Sequence, residues 1–131
     1  MKNHIELEYG PPDAVSLALY AAASGDHNPL HLDPAVAKAA GYERPVAHGM
    51  LTMAYVGRLL TSHFGVSALR SFSTRFGGVV LSGDRLKISA SLESQDGATA
   101  TYRLRATNAK SQAVLTGIAV ISRGEPQFNG R

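Results

Sequence analysis

Ser24-Gly25-Asp26-His27-Asn28-Pro29-Leu30-His31 is the stretch around which this chain is organised. The apolar helical pattern of Val15–Ala23 runs into it and stops at Ser24–Gly25, where glycine allows a positive φ and a sharp exit. Pro29 fixes its own φ and keeps Asn28 extended. The segment therefore reads as a shaped loop with two proton-handling side chains, Asp26 and His31. A rigid loop is how a fold aims two such groups at one small volume.

Upstream of the loop, His4–Tyr9 alternates, with Ile5, Leu7 and Tyr9 on one side, which predicts a half-buried strand. Gly10-Pro11-Pro12 ends it, and Asp13 is placed to cap the helix that follows. Leu17, Tyr20 and Ala21 form that helix's core stripe. Downstream, Asp33-Pro34 reads as a cap followed by proline at the first helical position, opening a short helix over Pro34–Ala40 that ends at Gly41. Tyr42–Pro45 is a connector. Val46–Phe64 reads as the longest helix, ending at Gly65. Its apolar residues, among them Val46, Met50, Leu51, Met53, Val56, Leu59 and Leu60, cover more than one stripe, which predicts a helix wrapped by other structure. Gly57 in its middle costs roughly 1 kcal/mol relative to alanine, and close approach to a sheet or a partner is a reason to retain it.

The remainder is strand-like. Ala68–Phe76 sets Phe72 and Phe76 on one side, and Ser82-Gly83-Asp84 is a turn. Leu86, Ile88, Ala90 and Leu92 alternate with polar residues, Asp96-Gly97 signals a hairpin, and Ala100, Tyr102, Leu104 and Ala106 alternate again. After a turn at Asn108–Ser111, Ala113–Ile121 is apolar on both sides, as a central strand is. Gly124–Arg131 is a polar tail, expected to fray. The 131 residues predict one domain, spanning 1–123, with an α+β composition of elements.

There is no cysteine, which removes disulfides and thiolate chemistry and suits a reducing compartment. The N-terminus lacks the apolar core of a signal peptide, and His48, Thr52 and Arg58 interrupt the longest apolar stretch, so a cytoplasmic protein without membrane insertion is expected. The net charge is +3 with a pI near 9.5. Without a long basic run or aromatic–basic interleaving, the charge reads as solubility rather than nucleic-acid binding. His27 and His31 have i, i+4 spacing, but Pro29 lies between them and no His-Glu-x-x-His pattern exists, so no metal is expected. No nucleotide fingerprint, P-loop or Gly-x-Ser-x-Gly elbow occurs.

Gly25–His31, Asp33-Pro34 and then His48-Gly49-Met50-Leu51 together resemble the MaoC-like family of (R)-specific enoyl-thioester hydratases and dehydratases. The resemblance implies a hot-dog fold, a curved antiparallel sheet around the long helix, and a homodimer with sheets paired edge to edge. It implies reversible addition of water to a trans-2-enoyl thioester of coenzyme A or acyl carrier protein, with no other cofactor. Asp26 and His31 would then be the catalytic pair on one water, since histidine and aspartate can hold and relay its protons. The Gly49 N–H, at a helix start, would stabilise the enolate-like oxygen. Asn28 would touch the water or orient the loop as an ordinary turn former, and His48 would touch substrate or serve as a structural residue at the helix start. Some hydratases carry a serine where Gly57 stands, and Gly77–Ser82 replaces the proline-containing turn that many relatives place before Gly83-Asp84. A cationic entrance for the carrier has Arg44, Arg70, Arg75 and Lys87 as candidates. A hot-dog acyl-thioesterase would use the same residue types, whereas the presence of both Asp26 and His31 argues against a third reading, a non-catalytic acyl-thioester-binding subunit of a heteromer.

Overall fold

The structure is a computed structural model, and it describes residues 2–124. The elements run β1 (His4–Tyr9), α1 (Ala14–Ser24), a 3-10 turn (Pro29–His31), α2 (Pro34–Ala39), α3 (Gly49–Phe64), a second 3-10 turn (Val66–Ala68), β2 (Leu69–Phe76), β3 (Leu86–Gln95), β4 (Thr99–Thr107) and β5 (Ala113–Ser122). The five strands make one sheet in the order β1-β3-β4-β5-β2, with every neighbouring pair antiparallel. The tail read from the sequence lies outside the described residues beyond Gly124.

Alternation decides which face of the sheet is buried. Leu86, Ile88 and Ala90 of β3 and Ala100, Tyr102, Leu104 and Ala106 of β4 are each at most 1% exposed. They face α3, which meets all five strands and sends Leu51, Val56, Leu59 and Leu60 into the same core. Each such leucine contributes roughly 1.5–3 kcal/mol by leaving water. The opposite side of α3 is open: Met50 is 54% exposed, and Ala54, Arg58 and Ser62 are exposed with it. Within this chain, then, the sheet covers one side of the helix and leaves the other bare.

Local signals act where the sequence puts them. The Asp13 carboxylate accepts the Ser16 N–H at 2.8 Å, and that bond holds its pKa below the ordinary 3.8. Its capping contribution is therefore present above that value and fades as pH falls through the lowered one. Gly25 closes α1 at φ 81°. Asp33 caps α2 through the Ala35 N–H at 2.9 Å.

One boundary differs from the sequence reading by more than a residue. The long helix begins at Gly49, not Val46. Val46 forms a bridge with Leu81, and the Ala47 N–H donates to Val80 O at 2.8 Å. The backbone of these residues is committed sideways to the Gly77–Asp84 segment, so it cannot enter the helical ladder. Among the described residues no helix is long and apolar enough to cross a membrane.

Glycines set the closest approaches. A Cβ on Gly57 would sit 3.3 Å from the Phe72 ring, and one on Gly49 would rest 3.4 Å from Phe76. The two phenylalanines that share a side of β2 therefore lean on two glycines of α3. At Gly117 of β5 a Cβ would lie 2.3 Å from the Ser73 carbonyl oxygen of β2. Gly117→Ala should push the two strands apart and cost about 1–3 kcal/mol, the scale of overpacking. Urea unfolding would show it, and an unchanged midpoint would refute the tight β2–β5 contact.

Candidate active site

The loop after α1 is built from side chains that satisfy the backbone two residues further on. Ser24 Oγ accepts the Asp26 N–H at 3.2 Å, Asp26 Oδ1 accepts the Asn28 N–H at 3.3 Å, and Asn28 Oδ1 accepts the Leu30 N–H at 3.0 Å. Such short polar turns hold a loop without regular structure. Pro29 then opens the 3-10 turn, and the His31 N–H closes on Asn28 O at 3.0 Å. Asn28 is thus the cap of this turn, with its side-chain oxygen already engaged.

This geometry brings Asp26 and His31 together. Asp26 Oδ2 lies 3.5 Å from His31 Nε2, with the carboxylate side chain 53% exposed and the imidazole 13%. His31 Nδ1 is 2.6 Å from the Val46 carbonyl oxygen. A carbonyl only accepts, so Nδ1 must carry a proton. In neutral His31 the lone pair is therefore on Nε2, on the side of Asp26.

His48 completes the cluster. It is 2% exposed, stacks on His31 with ring centroids 3.8 Å apart and planes 20° from parallel, and makes an edge-to-face contact with Tyr20 at a centroid distance of 4.8 Å. Its Nε2 donates to the Asp26 carbonyl oxygen at 3.1 Å. By the same logic Nδ1 bears the lone pair, and it is buried with no partner among the described residues. His48 braces the loop from beneath and backs the His31 ring.

Asp26, His31 and His48 each offer a ligand atom within 4.8 Å of the others. The two ring planes lie 20° apart and are stacked, and lone pairs confined to two such planes do not converge readily on one ion, so this ring pair is poorly shaped to share a metal. His27 is exposed and outside the cluster, so the i, i+4 spacing of His27 and His31 brings nothing together.

A cavity of about 210 Å³ opens beside the pair. His31, Gly49, Thr52, Phe76, Val79 and Val80 are among its lining residues. Gly49 is the first residue of α3, so its N–H has no intrahelical acceptor and lies at the positive end of the helix. The four cations expected at an entrance do not line this cavity. Arg44 is tied to Asp84, Arg70 reaches Ser122, and Arg75 and Lys87 alternate onto the outer face of the sheet. Spacing alone could not locate them, because pleat and register decide the face.

Several participants carry no sequence signal. The Val46 carbonyl and the Phe76 ring reach the site from segments remote in the chain, and Tyr20 meets His48 from the helix before the loop.

The fold and this loop define a hot-dog domain with an aspartate–histidine pair beside a helix N-terminus. The chain belongs to the family of MaoC-like domains, whose model matches residues 5–114. Among solved structures it is similar to an (R)-hydratase from A. caviae involved in PHA biosynthesis, with a TM-score of 0.82, 31% identity, and coverage of 90% of this chain and 92% of that one. R-hydratase PhaJ1 from Pseudomonas aeruginosa matches with a TM-score of 0.81 at 26% identity, over 100% of this chain and 92% of that one. A probable enoyl-CoA hydratase 2 of Dictyostelium discoideum is 31% identical over 121 residues, which is 84% of this chain and 40% of that protein. The peroxisomal hydratase-dehydrogenase-epimerase of Saccharomyces cerevisiae is 42% identical over 73 residues, 56% of this chain and 8% of that protein. The chain thus spans less than half the length of these two curated relatives.

The buried, unpartnered Nδ1 gives a test of the brace. An unsatisfied buried polar atom costs about 1–3 kcal/mol. His48→Phe removes that atom and keeps a ring against His31, but it loses the bond to Asp26 O. Thermal stability should stay level or rise while turnover falls by about tenfold, as displaced catalytic geometry predicts. Full turnover in a folded His48→Phe protein would remove His48 from the supporting structure.

Proposed function

We propose that this protein adds water reversibly to a trans-2-enoyl thioester, giving an (R)-3-hydroxyacyl thioester. The observation that carries the reading is the 3.5 Å approach of Asp26 Oδ2 to His31 Nε2, beside a cavity shared by His31 and Gly49. Two acceptors at that separation can hold one water, each at hydrogen-bond distance of roughly 2.8 Å. One of the pair takes a proton from the water as its oxygen bonds to C3, and a proton is delivered to C2. Because Nδ1 is tied to Val46 O, proton traffic at His31 passes through Nε2. Negative charge gathers on the thioester oxygen, where a fixed N–H is most useful. The Gly49 N–H is the donor assigned to it. No electrons are transferred, so the reaction calls for no cofactor beyond the thioester carrier, coenzyme A or acyl carrier protein.

The names of the relatives support this reaction class, and the same Asp–His arrangement supports the site. The edge strand β2, with one side unpaired among the described residues, supports a homodimer in which a second copy continues the sheet. Asn28 and His48 act on the site through the loop, the first as a turn cap and the second as a brace.

Crotonyl-CoA and longer enoyl-CoAs should lose their enoyl absorbance with the purified chain, and chiral analysis should give the (R)-alcohol. Asp26→Asn and His31→Ala should each lower turnover by about 10² or more, the scale of general acid–base catalysis. An (S)-product, thiol release without hydration, or near-normal rates in both variants would overturn the assignment.

The oxyanion donor can be tested separately. His48 is extended, at φ −62° and ψ 131°, and Gly49 is the first helical residue, so proline fits position 49 by backbone conformation. Gly49→Pro should fold and lose about 10²–10³ in kcat, the scale for one lost oxyanion donor. Gly49→Ala keeps the N–H, and its methyl meets Phe76 at ordinary contact distance, so it should keep most of the rate. Equal rates in the two variants would exclude this amide.

A further inference from the structure

We infer that Arg44, through its ion pair with Asp84, is a positioning residue that fixes the tautomer of His31. The inference deepens the proposed reading and rests on His31 being its acid–base group.

The connection runs through the short segment between α2 and α3. Arg44 Nε donates to Ser82 O at 2.6 Å, and Nη2 donates to Asp84 Oδ1 at 2.7 Å. The other carboxylate oxygen of Asp84 accepts the Leu81 N–H at 2.9 Å. One guanidinium and one carboxylate therefore hold the turn at Leu81–Asp84 against the connector. Backbone bonds continue the join: Ser82 N–H to Pro45 O at 2.8 Å, the Val46–Leu81 bridge, and Ala47 N–H to Val80 O at 2.8 Å. Val46 lies in the middle of this seam, and its N–H is fixed to Leu30 O at 3.0 Å. What remains of Val46 for the site is its carbonyl, and that carbonyl receives His31 Nδ1.

The consequence is chemical. His31 has two nitrogens, and the partner of one decides the role of the other. If the Val46 carbonyl drifts, the proton can move to Nε2, and the lone pair then points away from Asp26. Arg44 supplies the side-chain bonds of the connector to this turn among the described residues, and its planar fork reaches two acceptors at once. The pair is partly exposed, with Arg44 at 44% and Asp84 at 23%, so its value is geometric more than energetic. The same seam leads directly into His48 and Gly49, so it also sets where α3 starts. The groups facing His31 are Asp26 across Nε2 and His48 across the ring, and Arg44 touches neither.

The test reads the tautomer without using activity. Long-range ¹H–¹⁵N correlation of the His31 ring in the intact protein at neutral pH should show the proton on Nδ1. In Arg44→Met the Nε2–H form should become populated, and kcat should fall between about ten- and a hundredfold with KM changed much less, the size of effect expected from displaced catalytic geometry. The pH profile of kcat should change shape as well. Arg44→Lys can reach Asp84 but cannot fork, so it should restore part of both signals. Should Arg44→Met fail to fold, Asp84→Asn weakens the same pair and should give the same spectral change. A His31 ring that keeps its proton on Nδ1 in a folded Arg44→Met or Asp84→Asn protein would overturn the inference. If the tautomer shifts but His31→Ala retains its rate, the clamp stands and the acid–base role of His31 falls.

Discussion

A peptide carbonyl can accept a hydrogen bond but cannot give one, and the site depends on that asymmetry at Val46. Its oxygen, 2.6 Å from His31 Nδ1, places the imidazole proton on the far side of the ring from Asp26. The remaining lone pair then meets the carboxylate across 3.5 Å. The same rule, applied to the Asp26 carbonyl, fixes His48 and leaves one of its nitrogens buried without a partner among the described residues. Two neighbouring histidines thus take opposite tautomers because two carbonyls stand on different sides of them. A buried atom left unsatisfied is expensive, so its presence beneath the candidate site trades stability for geometry.

The rest of the fold holds that geometry still. The loop's own side chains tie down every second amide from Asp26 to Leu30. The sheet packs its apolar face on α3, and α3 offers glycine where phenylalanine rings approach it most closely. Gly49 serves in two ways at once: it admits the Phe76 ring, and its amide opens the helix beside the cavity. The segment Gly77–Asp84 joins these parts, walling the cavity with Val79 and Val80 and anchoring the connector at Val46.

Much of this was legible in the chain. The strand at His4–Tyr9, the caps at Asp13 and Asp33, the stop at Gly25 and the alternation of β3 and β4 follow from residue types with short-range consequences. The loop motif marked Asp26 and His31 because a glycine, an Asx residue and a proline constrain their own backbone wherever they stand. The start of α3 was misread by three residues because apolarity at Val46 and Ala47 suits a helix and a buried bridge equally. Only a partner, at Val80 and Leu81, decides between them. The cations named for an entrance lie away from the cavity for a related reason: alternation places Arg75 and Lys87 on one face of a strand, but only the packed sheet decides which face meets α3.

By itself, the sequence determined most of the elements, the caps at Asp13 and Asp33, the stop at Gly25 and the two side chains that share the loop, since each rests on interactions spanning a few residues. The tertiary structure alone decided that Val46 reaches His31 across 15 positions and that His48 lies under Asp26 from 22 positions away. Hydrogen-bond direction and ring stacking are set by relative placement in space, and no local pattern of residues encodes that placement.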